Sequence, residues 1–444
     1  MATRWTKTAV WAAGAILAGA TGSALAAKPS TDLGPRYIDK INGYSLRGPA
    51  GATRRREYSR SRLVSWTRRD TATGAVDLTL VVLKRAEVKK KIDLKAYAKD
   101  LKRKLAREQQ LFIHKPWVTT LAGKPAIDLN GTGGLTGLGL WQRQVWVLVR
   151  DGQFLILAIS GPKARKDNLD AVFTKALATL ELTDPAEAIK TRNANLKRGA
   201  DLLAGLTDRR LGAAFDGRLQ WFLFSKDGKD VGYMSLKASR ARRDGADGYE
   251  IVSTVRLKLP KDQLRRARRE QFTTRKRDFS RWRETMLAEA GALRYLEEGI
   301  KQGDMTVCHI SSGGQQRTYK KRLNVPTQKI FLPRAFAMVL PRLVDLKTTQ
   351  AYAFATYTAQ ANDFDVRTFT VAGAETVTID ARRVEAVRVL DRTADDVEPA
   401  TVWVDSRGAI LRMATPDGLV MHAATQSAVI RRFPADEVRI RGTR

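Results

Sequence analysis

The sequence predicts an α+β protein of two antiparallel-sheet domains, the second a curved half-barrel sheet with covering helices. Three observations predict it. Short runs of β-branched and aromatic residues, separated by turn residues, recur through both halves. Two amphipathic helical stretches accompany the strands of the first half. A chain of 444 residues is long enough for two cores.

The chain opens with the three parts of an export signal. Arg4 and Lys7 make a positive start, residues 9–20 are apolar, and Ala24-Leu25-Ala26 is an A-x-A cleavage site. The apolar run is shorter than the roughly 20 residues that span a bilayer, so residues 1–26 read as a cleaved signal peptide and not as a transmembrane anchor. The only cysteine is Cys308, which excludes lipidation at the cleavage point and any internal disulfide. The expected location is periplasmic or extracellular, with the protein soluble or peripherally membrane-associated.

Residues 28–43, with Pro29, Ser30, Gly34 and Pro35, read as an irregular lead-in. Strands follow over residues 44–46, 62–66 and 77–83. Asp93 can cap a helix whose apolar face is Leu94, Tyr97, Ala98, Leu101 and Leu105, opposite Lys95, Lys99, Lys102 and Arg103. Residues 144–149 and 154–159 are strands joined by Asp151-Gly152, a type I′ hairpin signal. A second helix carries Leu169, Val172, Phe173, Ala176, Leu177 and Leu180 on one side. Asp184-Pro185 can start the next. These features set a domain over 28–183, a linker helix over 184–210 and a β-rich domain over 211–444.

The second half reads as strands over 219–224, 231–236 and 249–259, then a meander over 366–422. Turns fall at Ala372-Gly373, Ser406-Arg407-Gly408 and Pro416-Asp417-Gly418. Neighbouring strands this close pair with one another. Residues 333–346 read as a short apolar helix broken near Pro341.

The segment from Tyr44 to Leu180 resembles the PsbP-type fold. The residues that carry this are Gly43-Tyr44-Ser45-Leu46, the helix over 93–109, Leu121-Ala122-Gly123-Lys124-Pro125-Ala126, and the closing Ala178-Thr179-Leu180-Glu181-Leu182. The second half is similar to LolA/LppX-type envelope proteins. There the features are the long strand series, the helix near 333–346, and the strand-turn-strand unit from Val402 through Asp405-Ser406-Arg407-Gly408 to Leu411. The second resemblance implies a half-open barrel plugged by helices, a hydrophobic ligand in several relatives, and no catalytic residues.

Catalytic and metal constellations are thin. His114, His309 and His422 lack ligand spacing, and Cys308-His309 would point to opposite faces of a strand. Ser160-Gly161-Pro162-Lys163 matches S-x-x-K only by letters, because Gly161-Pro162 ends a strand. The glycine run over 131–139 lacks the Lys-Ser/Thr of a phosphate loop and reads as a surface loop. Asp363 and Asp365 share a face without a third acid or a histidine, so they read as solvated edge charges. The sequence asks for no cofactor and no metal.

Charge is the unusual feature. The net charge is +33, and removing Arg4 and Lys7 leaves +31. Such a cation is drawn to polyanions. The densest tract runs over 256–283, with twelve cations against three acids and Phe272, Phe279 and Trp282 between them. Arg265, Arg266, Arg268, Arg269, Arg275, Lys276, Arg277, Arg281 and Arg283 are the expected anion-binding surface. Trp403, Ile410, Leu419, Met421, Phe336, Met338 and Leu340 are the expected lining of an apolar ligand cavity. Together they suggest an exported, non-catalytic envelope protein that holds a lipid or another hydrophobic molecule. The alternatives are a structural or interaction module on anionic envelope polymers or head groups, and an enzyme of unrecognised type. Export argues against nucleic acid as the partner.

Overall fold

The structure is a computed structural model that describes residues 30–56, 62–71, 73–87, 92–109, 111–114, 116–133, 139–258, 264–288, 294–379 and 382–442. The expected signal peptide and the centre of the glycine-rich loop lie outside these residues. The chain divides into two compact units, residues 1–185 and 186–444.

In the first unit β1 (Leu33–Asp39), β2 (Tyr44–Pro49) and β11 (Glu181–Leu182) form a small sheet. The expected irregular lead-in is thus a strand: Tyr37 and Asp39 alternate inward against β2. The main sheet has eight strands: β3 (Thr53–Arg56), β4 (Arg62–Arg69), β5 (Val76–Ala86), β6 (Leu111–Ile113), β7 (Trp117–Leu121), β8 (Lys124–Gly133), β9 (Leu140–Arg150) and β10 (Gln153–Pro162). Their order is β3-β4-β5-β10-β9-β8-β6, with β7 also on β8 and all pairs antiparallel. Gly152 takes φ 69° in the hairpin turn that Asp151-Gly152 predicts.

Both faces of this sheet are covered, so its central strands are apolar on both sides. Helix α1 (Leu94–Gln109) seals one face with Ala98, Leu101 and Leu105 against Trp146, Phe154 and Ile156. Asp93 Oδ1 caps it, accepting from the Lys95 and Ala96 amides at 2.9 and 3.3 Å. Helix α2 (Lys166–Ala178) seals the other with Leu169, Val172, Phe173 and Ala176.

The second unit begins with α3 (Ala186–Ala204) and α4 (Asp208–Ala214). Leu203 and Leu206, in the stretch expected as a linker over 184–210, are buried in this unit's core. The strands are β12 (Asp216–Lys226), β13 (Lys229–Arg243), β14 (Ala246–Lys258), β15 (Leu264–Thr274), β16 (Phe279–Ala288), β17 (Arg294–Gln302), β18 (Met305–Ser312) and β19 (Gln315–Arg322). After α5 (Val325–Lys329) come β20 (Gln350–Thr358), β21 (Asp363–Ile379), β22 (Arg382–Arg392), β23 (Ala400–Val404), β24 (Ile410–Ala414) and β25 (Leu419–Ala424). All fourteen form one curved sheet, ordered from β19 down to β12, then β25 up through β24 to β20. β19 and β20 end that order without pairing with each other, so the barrel is not closed.

Two expectations change here. The turn at Ala372-Gly373 is a bulge inside one long strand, with the register slipping between Val371 and Gly373 and Gly373 at φ 113°. The helix at 333–346 is a pair of 3₁₀ turns, Arg334–Met338 and Leu340–Arg342. Pro341 lacks the amide hydrogen that a continuous α-helix would use there, and its ring breaks the run. These turns plug the concave face, where Phe336, Val339 and Leu340 pack with Phe222, Phe224, Phe354 and Phe369. Residues 330–332 satisfy the edge of β20: Ala355 N donates to Ile330 O, and Leu332 N donates to Ala355 O, each at 2.9 Å.

The run Trp221-Phe222-Leu223-Phe224 is apolar throughout because β12 is buried on both faces. Phe222 and Phe224 turn to the main core. Trp221 and Leu223 meet Val429 of α6 (Gln426–Arg432) and Ile440 of α7 (Glu437–Arg441).

Candidate functional site

A convergent set of polar groups lies in the second unit, where strand register stacks side chains on one face of β15, β16 and β17. Arg269 faces Glu284, which faces Glu297. Gln271 faces Trp282, which faces Gly299. The Arg269 guanidinium forks onto the Glu284 carboxylate at 2.7 to 3.0 Å. Glu297 accepts from Trp282 Nε1 at 2.7 Å and from the Tyr295 hydroxyl at 2.6 Å. Burial, then that bond to Glu297, pushes the Tyr295 pKa up, so the phenol stays a donor. Gly299 is required: a Cβ there would lie 2.0 Å from the Trp282 ring.

Phe331, Tyr357 and Arg334 wall the space above. Tyr357 lies 5.6 Å from Trp282, and Arg334 Nη1 lies 4.0 Å from Glu284. The protein crowding the Arg334 guanidinium, and then the Arg269 cation, lowers its pKa, although half of the side chain still reaches solvent. Gln271 Oε1 accepts from the Ala335 amide and so ties the strands to the plug. The cavity left is about 20 Å³, space for one water. Both carboxylates are committed as acceptors, so the arrangement orders the interior of this wing and gives a substrate no room.

Cys308 is buried behind Trp282 and Tyr357 in the same cluster. Burial, then the nearby Glu297 charge, pushes its thiol up to about 12. Lys301 is also buried, donating to Arg277 O at 2.5 Å with its ammonium 5.2 Å from the Phe331 ring centre. Burial lowers its pKa.

The basic tract is not one surface. Strand alternation sends Arg269 inward and Arg266, Arg268, Arg281 and Arg283 outward, while Arg275, Lys276 and Arg277 sit at the β15–β16 turn. Several are already paired: Arg268 with Glu270 at 2.7 Å, Arg275 with Asp208 at 2.8 Å, Arg281 with Asp244 at 3.4 Å and Arg283 with Glu298 at 3.3 Å. Arg277 donates to Leu203 O at 3.2 Å. The Arg265 side chain lies outside the described residues. An open cleft of about 640 Å³ near the turn is lined by Asp208, Arg240, Tyr249 and Arg275, with Asp208 accepting from the Tyr249 hydroxyl at 3.2 Å.

The residues expected to line an apolar cavity separate into two groups. Phe336, Leu340, Ile410 and Met421 are buried in the main core, with Met338 and Leu419 packed against it. Phe336 lies 5.0 Å from Phe215, ring centre to ring centre, with the planes tilted by 45°. Trp403 is on the other face. It pairs in register with Arg412, while its neighbours Val402 and Val404 point inward. Its indole donates to Glu375 and stacks under Arg412, 5.2 Å away.

The remaining motifs stay apart. Among the described residues no three His, Cys, Asp or Glu side chains are grouped to hold a metal. Ser160, Gly161 and Pro162 are the last three residues of β10, and Gly161 packs on the Asp77 carbonyl, so no helical turn joins Ser160 to Lys163. Asp363 pairs with Lys321 at 3.0 Å, and Asp365 accepts from the Thr358 hydroxyl at 2.7 Å.

Sequence reading missed the Arg269, Glu284, Glu297 and Arg334 group. Its trace is a repeated spacing of two: Arg269 and Gln271, Trp282 and Glu284, Tyr295 and Glu297. That is the period of a strand with a polar inner face.

No family model matches the chain, and no curated protein matches it in sequence. Among solved structures it is similar to a β-barrel-like protein of a domain of unknown function from Brucella abortus. The identity is 13%, with 46% of this chain and 93% of that one covered, at a TM-score of 0.34. It is also similar to a PsbP from the cyanobacterium Synechocystis, at 16% identity over 37% of this chain and 98% of that one, TM-score 0.28. A third is LpqN of Mycobacterium tuberculosis, whose title describes it as involved in cell envelope biogenesis. It shares 17% identity over 32% of this chain and 83% of that one, TM-score 0.25. A PsbP is thus among the neighbours, as the resemblance in residues 44–180 implies. At these identities and TM-scores the neighbours carry nothing about ligand or activity.

Proposed function

We propose that this chain is an exported, non-catalytic binding protein of the cell envelope, and that its second unit takes a lipid or another hydrophobic ligand inside the curl of its sheet. The supporting observation is how that curl is filled. β19 and β20 end the strand order without pairing with each other, and the apolar interior is occupied by a loop-borne plug instead of by further strands. The plug is held by a few polar ties. Arg342 donates to Ala214 O at 3.0 Å, Arg210 donates to Leu343 O at 2.6 Å, and the Ala335 amide donates to Gln271. An acyl chain that displaces Phe336 and Leu340 exchanges one set of apolar contacts for another. It also removes its own tail from water, about 0.8 kcal/mol per CH₂.

The test is uptake of a fluorescent fatty acid by delipidated mature protein. Phe336→Ala makes room and is expected to raise uptake severalfold, and Ala337→Trp to abolish it. No uptake by wild type or Phe336→Ala, with the β-sheet circular dichroism intact, overturns the reading.

The net charge of +33 favours a second reading, a module held on anionic envelope polymers by its basic surface. That reading expects salt-sensitive retention on a polyanion by protein that takes up no fatty acid.

A further inference from the structure

The first unit has an apolar edge that the ligand reading leaves unused. Phe112 is 71% exposed, Trp117 43% and Val118 42%. They lie on β6 and β7, which follow one another along the outer side of β8. Register places them on both sides of that edge. Phe112 faces Thr132 and Trp117 faces Asp128, on one face of the sheet; Val118 faces Ile127, on the other. The His114 ring stands edge-on to Phe112 at 5.5 Å, extending the aromatic side.

Helix α1 packs against this same edge, touching β6, β7 and β8. Its buried side is Ala98, Leu101 and Leu105. Its outer side carries Lys95, Lys99, Arg103 and Arg107, each four residues from the last and all exposed. The whole helix holds six cations and two acids. Arg103 is tied to Asp100, and the stripe remains cationic.

We propose that this edge docks the first unit on an anionic lipid bilayer, with Phe112, Trp117 and Val118 entering the interface and the α1 stripe meeting the head groups. A tryptophan ring, with its apolar body and polar N–H, settles at the lipid–water boundary, and Phe112 and Val118 add apolar area beside it. Basic residues beside them gain from the negative surface, and the two contributions together hold a protein that neither would hold alone. A soluble polyanion would use the stripe and leave the aromatic edge in water. Three apolar side chains are also too few for the core of a standard protein–protein interface. The inference goes beyond the ligand proposal and stands whichever molecule the second unit takes.

The experiment is flotation of the mature full-length protein with vesicles. One set is pure phosphatidylcholine; the other is equal parts phosphatidylcholine and phosphatidylglycerol. Two double variants accompany it, Phe112→Ser with Trp117→Ser and Lys95→Glu with Lys99→Glu. All four positions are exposed, and circular dichroism checks that both variants fold. Wild type is expected on the anionic vesicles and not on the neutral ones. Each double variant is expected to lower the partition coefficient about tenfold or more. Only the aromatic variant is expected to lose the binding that survives added salt. Three results overturn the docking edge: no flotation of wild type, an aromatic variant that binds as wild type does, or loss confined to the charge-reversed variant, which would make α1 a polyanion site.

Discussion

Asp77 of β5 lies at the centre of a buried ion network in the first unit, and replacing it with alanine should cost more than any exposed change nearby. Asp77 is 4% exposed and Arg68 is 8% exposed. Arg68 Nε donates to Asp77 Oδ2 at 3.0 Å, and Arg165 Nη1 donates to the same oxygen at 2.8 Å. Removing the carboxylate leaves Arg68 buried with only neutral acceptors, Ser30 O at 2.7 Å and Asn168 Oδ1 at 3.1 Å. Arg165 is better placed, because Asp70 still holds it at 2.6 Å. Breaking a buried pair costs about 3–5 kcal/mol, and the surviving contacts set the expectation near the lower figure. For a unit of this size, about 2–4 °C per kcal/mol makes the loss in Tm about 6–12 °C. Scanning calorimetry of the mature chain should show it in one transition, with the second unit's transition as internal control. Asp77→Leu combined with Arg68→Met removes both charges and should recover most of the loss. A single variant that melts within about 2 °C of wild type would refute the reasoning. So would a double variant no more stable than the single.

Gly199 of α3 would place a Cβ 2.0 Å from the Ala353 carbonyl oxygen, so Gly199→Ala should push the helix off β20. The overpacking, about 1–3 kcal/mol, is expected to exceed the roughly 1 kcal/mol that alanine gains in helix propensity, and urea unfolding should show a lower midpoint. Cys308 should resist thiol reagents at pH 8 in the native state and react once the protein is unfolded. Its folded pKa, about 12, stands above the ordinary 9.0, so the fold favours the protonated thiol. Stability from this group is therefore complete below pH 9 and falls as the pH climbs from 9 toward 12, which denaturant titrations across that range can read.

The first unit was largely legible because its signals are local. Asp93 announces α1, Asp151-Gly152 announces a hairpin, and the 3.6-residue period of Leu169, Val172, Phe173 and Ala176 announces α2. The wing from β15 to β19 was not, because its inner face holds Arg269, Gln271, Glu284 and Glu297 where a hydrophobic pattern is sought. Those side chains are satisfied by one another across strands, which no single stretch of sequence reveals. Trp403 shows the opposite error. Its apolar bulk suggested a core position, while the alternation of Val402 and Val404 assigns it to the other face. The basic tract misled through density: a run of arginines looks continuous, yet strand alternation and the β15–β16 turn send its members to three different surroundings.

The fourteen-stranded sheet is two meanders joined along one line. β12 to β19 pair only in succession, and so do β20 to β25; β12 with β25 is the single pairing between the two runs. Within each run contacts are short-range and can form soon after the strands emerge, whereas the joining line links residues 221–226 to 419–424. A chain made N-terminus first cannot complete that line until nearly all of it has emerged. Until β25 arrives, Trp221 to Phe224 lie along a bare strand edge, so closing this sheet waits on the last of its strands.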